Sequence, residues 1–298
     1  MRIILFILKC LVGVLATIGL LFVLLGVVIG VAANKADKLQ ANIQPLPEKA
    51  VLSLDLSNGI VEQRADNPLS RAALGNPPSL LSLITTLEAA GKDERISGLL
   101  LQLGQGDIGL AQAQELRQAI LGFRDKGKKV TAFAASFGEG GSGMLHYYLA
   151  SSADEIWLQP SGELSIRGFI LESPFLKDAL DRIGIDAQVA QRKEFKGAAS
   201  FLTDRAMPEP QRENLQQLLD SFLTQWIEDV AGSRNLGIAP LRTLIDSGHL
   251  DAAEARERGL IDQIGYSDQV FAAVLDDAGR DSDFYDLQLY ERTRPEEE

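Results

Sequence analysis

From residue 50 to residue 191, the sequence alternates short apolar runs with longer segments of helical periodicity. Leu52, Leu54 and Leu56 alternate with polar residues, which is typical of a strand with one buried face. The runs at 96–103 and 129–135 are predominantly apolar, which favours strands buried on both faces. Because the connections between these runs and the intervening helical segments are short, the pattern predicts a parallel sheet covered by helices, and therefore an α/β fold.

The predicted elements extend over most of the chain. Strands are predicted at 50–56, 96–103, 129–135, 155–158 and 186–191, and helices at 78–90, 111–123, 144–152, 174–183, 239–247 and 252–259. A long helix is predicted from about Pro208 to Gly232, because its apolar residues recur at three- and four-residue steps. Such a stripe packs in the core or against another subunit. The domain is expected to cover 50–285, followed by a charged tail at 286–298 that is disordered from Arg292 onwards.

The N-terminal part predicts a membrane anchor. Residues 10–33 contain no charged side chain, and as a helix they would be about 36 Å long, enough for a hydrocarbon core of about 30 Å. Residues 1–9 would be a short cytoplasmic N-terminus and 34–49 a linker. Arg2 and Lys9 before the span give a weak preference for a single-pass inner-membrane protein with a periplasmic domain. Cleavage at the small residues 32–36 stays open as an alternative.

Composition excludes several function classes. The net charge of −12 argues against a nucleic-acid partner, because phosphate binding requires clustered basic residues. The single cysteine, Cys10, excludes an internal disulfide. Only two histidines, His146 and His249, are present and no Cys/His cluster accompanies them, so neither a metal site nor a cofactor is expected.

Four segments together resemble the signal peptide peptidase A family, also called protease IV. They are 146–160 (HYYLASSADEIWLQP), 166–169 (IRGF), the pair Phe195-Lys196 and 255–262 (ARERGLID). The resemblance runs from about residue 50 to residue 269 and implies a ClpP/crotonase-like spiral of ββα units, here preceded by one transmembrane helix. It also implies a membrane-anchored serine protease with a Ser/Lys dyad that degrades cleaved signal peptides, which are hydrophobic.

The resemblance assigns Lys196 as the general base and places Gly168 on the oxyanion side of the site. The family serine would lie three residues before Tyr147, where this chain has Met144. The chain is most similar to the N-terminal half of the double-length members, in which that half donates the lysine and a homologous second half donates the serine. The resemblance therefore implies a homo-oligomer, or a serine-bearing homologous domain that supplies the nucleophile.

The chemistry of such a dyad requires a neutral lysine. A lysine with its ordinary pKa of about 10.4 is protonated near neutral pH, and burial or neighbouring positive charge must lower that pKa. We expect Phe195 and Phe201 to shield Lys196 from water, and Arg192 and Lys193 to add positive charge. Ser142 is a second candidate nucleophile, shifted by two residues, and its alternative role is to cap the following helix.

Two other functions stay open at this point. Residues 138–143 spell G-x-G-x-x-G between a predicted strand and a predicted helix, which is the dinucleotide fingerprint. The pattern lies far along the βα series, however, and lacks an acidic residue about 20 positions later. The chain could instead be a non-catalytic ClpP-like assembly module that has kept the fold and lost the chemistry.

Overall fold

The computed structural model describes residues 45–64, 77–139, 141–190, 192–193, 195–279 and 281–294, together with isolated positions between 13 and 30. Residues Leu46–Glu298 form one compact unit and Met1–Pro45 another. Most of the predicted anchor at 10–33 and of the linker at 34–49 lies outside the described residues, and the isolated positions that are described there are helical. In the described part of the chain, no helix combines the length and the apolar character that crossing a bilayer requires.

The larger unit is built on a six-stranded sheet with the strand order β7-β4-β3-β2-β1-β8. All five pairings in this sheet are parallel. The strands are β1 Lys49–Asp55, β2 Ile96–Leu103, β3 Lys129–Ala134, β4 Glu155–Leu158, β7 Gln263–Ile264 and β8 Ser282–Asp286, and a separate antiparallel pair is formed by β5 Glu163–Leu164 and β6 Leu250–Asp251. This sheet, with its covering helices, fits the ClpP-like α/β fold that the sequence predicted.

Helices connect and cover the strands. They are α1 Leu80–Lys92, α2 Leu110–Arg124, α3 Met144–Ala150, α4 Lys177–Arg182, α5 Ser200–Thr203, α6 Glu209–Arg234, α7 Ile238–Ser247, α8 Ala252–Glu257, α9 Ser267–Ala278 and α10 Leu287–Thr293. The predictions at 78–90, 111–123 and 144–152 match α1, α2 and α3 to within two residues at each end. The prediction at 174–183 is shortened to α4, and α9 was not predicted.

Both faces of the sheet are buried, and alternate strand residues point to opposite faces. Leu52, Leu99 and Ala132 belong to the main core, which also contains the apolar sides of α1, α2 and α3. Val51, Leu100 and Phe133 belong to a second cluster with Val270 of α9. Because successive side chains of a strand point to opposite faces, strands covered on both sides must be apolar at nearly every position. This explains the apolar runs that made these strands predictable.

Two predictions of local structure are wrong. Residues 186–190 form no strand, and Ile185 and Val189 beside them are each 50% exposed. The tail predicted at 286–298 is instead helix α10 up to Thr293, in which Leu287 and Tyr290 are buried. Within this helix, Glu291 forms a 2.7 Å ion pair with Arg64. Residues 295–298 lie outside the described residues.

Candidate active-site groove

A groove of about 560 Å³ lies beside the start of α3. One wall is the turn that follows β2, Gly104–Ile108, and the other includes Gly168, Phe169 and Ile170. Ser142 and Met144 line the groove between these walls. The structure therefore brings together Met144 at the expected nucleophile position, the shifted serine and the glycine of the oxyanion side. Lys196 is not among the residues that line this groove.

The loop that precedes α3 is fixed by Ser165, which follows strand β5. The backbone N–H of Gly143 donates to the Ser165 carbonyl at 2.7 Å, and the N–H of Ser165 donates to the Phe137 carbonyl at 2.9 Å. The Ser165 hydroxyl donates to the Gly141 carbonyl at 2.9 Å. Ser165 is fully buried, so the loop is held on both of its sides by a residue that solvent does not reach.

These hydrogen bonds also argue against the dinucleotide interpretation of 138–143. The fingerprint requires free backbone N–H groups at the start of a helix to bind the pyrophosphate. Here the N–H of Gly143 is bonded to Ser165, and the N–H of Gly141 donates to Gly138 at 2.9 Å. Gly138 has φ +89°, and a Cβ there would lie 2.3 Å from the Gly143 nitrogen. The tight turn therefore explains why residue 138 is glycine, and no ligand is needed to explain it.

Met144 is a scaffold residue in this chain. Its side chain is 2% exposed, and its carbonyl accepts a 2.9 Å hydrogen bond from the indole N–H of Trp226 in α6. A thioether is neither a base-activated nucleophile nor a proton donor. The position that the family resemblance assigns to the serine therefore carries no nucleophile.

Ser142 is exposed, and its hydroxyl oxygen accepts a long hydrogen bond of 3.4 Å from the Met144 N–H. No described basic side chain is hydrogen-bonded to this hydroxyl, whereas an activated serine requires an adjacent base. Helix α3 begins at Met144, and its N-cap is Gly143 without a side-chain cap hydrogen bond, so this long contact supports neither a nucleophile nor the helix-capping alternative.

Gly168 adopts φ +77°, a conformation that favours glycine. In the described part of the chain, no backbone hydrogen bond involves residues 167–173. The N–H of Gly168 is thus available beside the groove, as an oxyanion donor would need to be.

Lys196 lies in a different setting. It is exposed, and its ammonium has no hydrogen bond or ion pair to a described residue. Phe195 and Phe201, expected to shield it, are themselves 54% and 40% exposed. The expectation that these two rings bury Lys196 within this chain is therefore wrong.

The backbone around Lys196 is nevertheless constrained. Its N–H donates to the Lys193 carbonyl at 3.2 Å, and Lys193 has φ +73°, an uncommon value for a residue with a side chain. The Ser200 hydroxyl, just beyond the turn, lies 2.6 Å from Oε1 of Gln211 in α6. The lysine thus lies on a defined turn, although its side chain has no partner among the described residues.

The residues that carry the family resemblance are mostly structural. The Tyr147 hydroxyl donates to the Leu260 carbonyl at 2.7 Å, which links α3 to the GLID segment. The Tyr148 hydroxyl donates to Asp229 of α6, and burial raises the pKa of this phenol. Arg117 of α2 donates to the Tyr148 carbonyl and to Ser151, each at 2.9 Å. These motif residues therefore hold α3 in place rather than perform chemistry.

The chain matches the model of peptidase family S49 over residues 122–280. The chain belongs to peptidase family S49. Its resemblance to the signal peptide peptidase A family, whose relatives carry the names protease 4 and SppA, is thereby confirmed.

Three relatives illustrate the range of lengths among similar proteins. "Serine protease SPPA, chloroplastic" of Arabidopsis thaliana is 25% identical over 240 residues, which cover 80% of this chain and 34% of the relative. "Protease 4" of Salmonella typhi is 27% identical over 252 residues, covering 78% and 40%. A Synechocystis protein, also named as a protease, is 25% identical over 225 residues, covering 75% and 76%. The S49 chain thus spans between a third and two fifths of the first two relatives.

Proposed function

We propose that this S49 chain supplies the lysine half of a Ser/Lys peptidase site. In this proposal Lys196 is the general base, and the serine comes from a second, homologous domain or from another chain. The substrates are hydrophobic peptides, with cleaved signal peptides as the class that the family suggests. The segment 10–33 would anchor the enzyme in the inner membrane, with the catalytic domain on the periplasmic side and close to peptides left in the bilayer.

The observation that supports this proposal most strongly is the separation of the two half-sites. A nucleophile and its base must come within hydrogen-bond distance, about 2.6–3.2 Å. Lys196 is exposed and does not line the groove, and the groove has Met144 where the serine is expected. A dyad that includes Lys196 therefore needs a serine from outside this chain. The greater length of the Arabidopsis and Salmonella relatives is consistent with a second domain that provides it.

The exposure of Lys196 would change when a partner binds. A partner surface packed against Phe195 and Phe201 would exclude water from the ammonium, and loss of hydration favours the neutral amine. The neutral amine then accepts the proton of the serine hydroxyl while the serine oxygen attacks the peptide carbonyl carbon. The C–N bond breaks, the amine leaves with the proton from Lys196, and water hydrolyses the acyl-serine in the second half-reaction. Backbone N–H groups beside the incoming serine would stabilise the oxyanion.

The proposal is tested with the full chain in detergent micelles, mixed with a homologous S49 chain that carries a serine at the position of Met144. Hydrolysis of an internally quenched hydrophobic peptide is measured. Lys196→Ala is expected to lower kcat/KM by at least about 10³-fold, the size typical for loss of a dyad member. Lys196→Arg should be equally inactive, because a guanidinium cannot serve as the base. Lys126→Ala, which removes an exposed lysine beyond α2, is the matched control and should leave the rate unchanged.

Two results would contradict the proposal. If Lys196→Ala retains full activity in the presence of the serine-bearing partner, Lys196 is not the base. If the chain alone hydrolyses the peptide and Ser142→Ala abolishes the activity, the site is complete within one chain and the half-site proposal is wrong.

A second candidate function is a non-catalytic assembly module. The observation that favours it is the structural role of Met144: this residue is buried, and its carbonyl accepts a hydrogen bond from the Trp226 indole N–H. In this case the chain would still bind a homologous chain. Lys196→Ala and Lys196→Arg would then leave the partner's activity as it is with the wild-type chain.

A further inference from the structure

His146 joins helix α3 to one wall of the groove. Its side chain is 7% exposed. The N–H of Gly104 donates to His146 Nδ1 at 3.2 Å, and Nε2 lies 2.9 Å from the Gly106 carbonyl oxygen. The imidazole therefore spans two peptide groups of the turn that follows β2.

That turn requires glycine at two positions. Gly104 and Gly106 have φ values of +108° and +87°. A Cβ at Gly104 would lie 2.2 Å from the Ser136 carbonyl oxygen, and one at Gly106 would lie 2.4 Å from the Leu56 carbonyl oxygen. The turn is thus packed closely against its neighbours, and His146 fixes its groove side.

Only one protonation state of His146 satisfies both contacts. Gly104 offers an N–H, so Nδ1 must carry a lone pair, and Gly106 offers a carbonyl, so Nε2 must carry the hydrogen. This is the neutral Nε2–H tautomer. A proton added to Nδ1 would face the N–H of Gly104, and that hydrogen bond would be lost.

We propose that His146 is the positioning residue of the groove: its neutral imidazole holds the Gly104–Ile108 wall where the groove accepts an extended peptide, and protonation releases that wall. The choice of a peptide as the ligand rests on the proposed function. The opposite wall suits such a ligand, because the backbone of residues 167–173 has no described hydrogen-bond partner and can pair with an incoming chain.

The charges around His146 set the direction of the effect. Burial lowers the pKa of His146 from 6.5, while the Gly106 carbonyl and the Asp107 carboxylate oppose this change. Glu139, on the loop before α3, lines the same groove. Arg117 of α2 and Asp229 of α6 contact Tyr148, which points to the other side of α3. The wall is therefore held fully above about pH 6.5 and is released as the pH falls through the lowered value.

Hydrogen exchange of the full chain in micelles tests the positioning role without any activity measurement. Exchange of the fragment that contains Gly104–Ile108 is compared at pH 7.5 and pH 5.0, after correction for the intrinsic rates. In the wild type, exchange should be at least about tenfold faster at the lower pH. His146→Gln can accept from Gly104 and donate to Gly106 but does not titrate, so its protection should be the same at both pH values. His146→Ala should exchange rapidly at both.

A second measurement addresses the ligand. The probe is Ala-Ala-Leu-Ala-Leu-Ala-amide with tetramethylrhodamine coupled to its N-terminal amine, which leaves no group that titrates in this range, and binding is followed by anisotropy. Wild-type affinity should fall about tenfold between pH 7.5 and pH 5.0, and that of His146→Gln should not change.

The outcomes separate the two proposals. Equal protection of the wall in all three proteins would overturn the role of His146 and leave the proposed function intact. Loss of protection in His146→Gln to the level of His146→Ala would overturn it as well. Release of the wall without peptide binding at either pH would overturn the peptide assignment and count against the proposed function.

Discussion

The region around α3 and the segment that carries Lys196 are built in opposite ways. In α3 every residue from Met144 to Ala150 except Leu145 is buried, and the helix is tied to α2, α6 and the GLID segment by side-chain hydrogen bonds. Between residues 170 and 201, large apolar side chains are exposed instead: Ile170, Leu171, Leu176, Ile183, Ile185, Val189, Phe195 and Phe201. The α3 region is therefore buried within the chain, whereas the segment that carries Lys196 exposes apolar side chains to solvent.

The two regions are therefore stabilised by different interactions. The geometry of the α3 half is fixed by burial and hydrogen bonds that form when this chain folds. The Lys196 segment has a defined turn but little buried surface, so the proposed function gives its environment to a partner. Mutations in the first region should therefore lower the free energy of unfolding, and mutations in the second should lower partner affinity or activity.

The largest expected contrast is between Trp226 and Phe195. Trp226 is 1% exposed and donates to the Met144 carbonyl, whereas Phe195 is 54% exposed. Trp226→Ala should lower the free energy of unfolding by about 3–5 kcal/mol, from the cavity and the lost hydrogen bond. Phe195→Ala should change it by less than about 0.5 kcal/mol. Urea unfolding followed by circular dichroism measures both, and a cost for Phe195→Ala close to that for Trp226→Ala would break the comparison.

Acid should also affect the free energy of unfolding more through a carboxylate in the packed part of the domain, Asp93, than through one in the exposed segment, Asp186. Asp93, at the end of α1, receives hydrogen bonds from Arg95 and from Tyr290 of α10, and the Arg95 bond in particular lowers the pKa of Asp93 from 3.8 to about 2. A carboxylate with a lowered pKa stabilises the fold above its unfolded value, and this contribution is lost as the pH falls from 3.8 through about 2. The Asp93 side chain is 14% exposed but its partner Arg95 is 49% exposed, so solvent screening limits the contribution to about 1 kcal/mol.

The matched variants are Asp93→Asn and Asp186→Asn. Asp186 also has a lowered pKa, because of its hydrogen bond with Lys177, but it is fully exposed beside the Lys196 segment. Unfolding free energies at pH 7 and pH 2 should show a loss for Asp93→Asn at pH 7 that shrinks at pH 2. Asp186→Asn should resemble the wild type at both. Equal effects of the two variants would show that the segment at 177–186 is as firmly integrated as α10.

The sequence predicted the buried region well and the exposed region poorly, for a physical reason. Strands β1 to β4 are apolar because both of their faces are covered, and this leaves a clear pattern. The run at 186–191 alternates apolar and polar residues, but its described part, 186–190, pairs with no described strand, and Val189 is exposed. Periodicity alone does not distinguish exposed apolar residues from residues that form a core.

The candidate site shows the same limit. Gly168 and Met144, which the resemblance assigns to one site, line the same groove. The expectation that Phe195 and Phe201 shield Lys196 failed, because the sequence does not reveal that both rings are themselves exposed. His146 was missed as a positioning residue because its partners, Gly104 and Gly106, are 42 and 40 residues away in the sequence. The sequence signal for this turn was the pair Gly104 and Gly106, which directly follows the predicted strand at 96–103.

The smallest effect is expected at Lys193, whose φ of +73° is the uncommon conformation in the Lys196 turn. The left-handed conformation costs a residue with a Cβ about 1–2 kcal/mol, and glycine avoids this cost but loses about 0.5–1 kcal/mol more in backbone entropy on folding. Lys193→Gly should therefore raise the free energy of unfolding by about 0.5–1 kcal/mol, the difference between these two costs. Lys193→Val should lower it by about 1 kcal/mol, because a β-branched residue is strongly disfavoured at positive φ. Urea unfolding of the isolated chain gives both values. If Lys193→Gly and Lys193→Val are equally stable, the isolated chain does not hold the turn in the left-handed conformation. The Lys196 segment would then be less ordered than the φ of +73° indicates, and its difference from the α3 region would be larger.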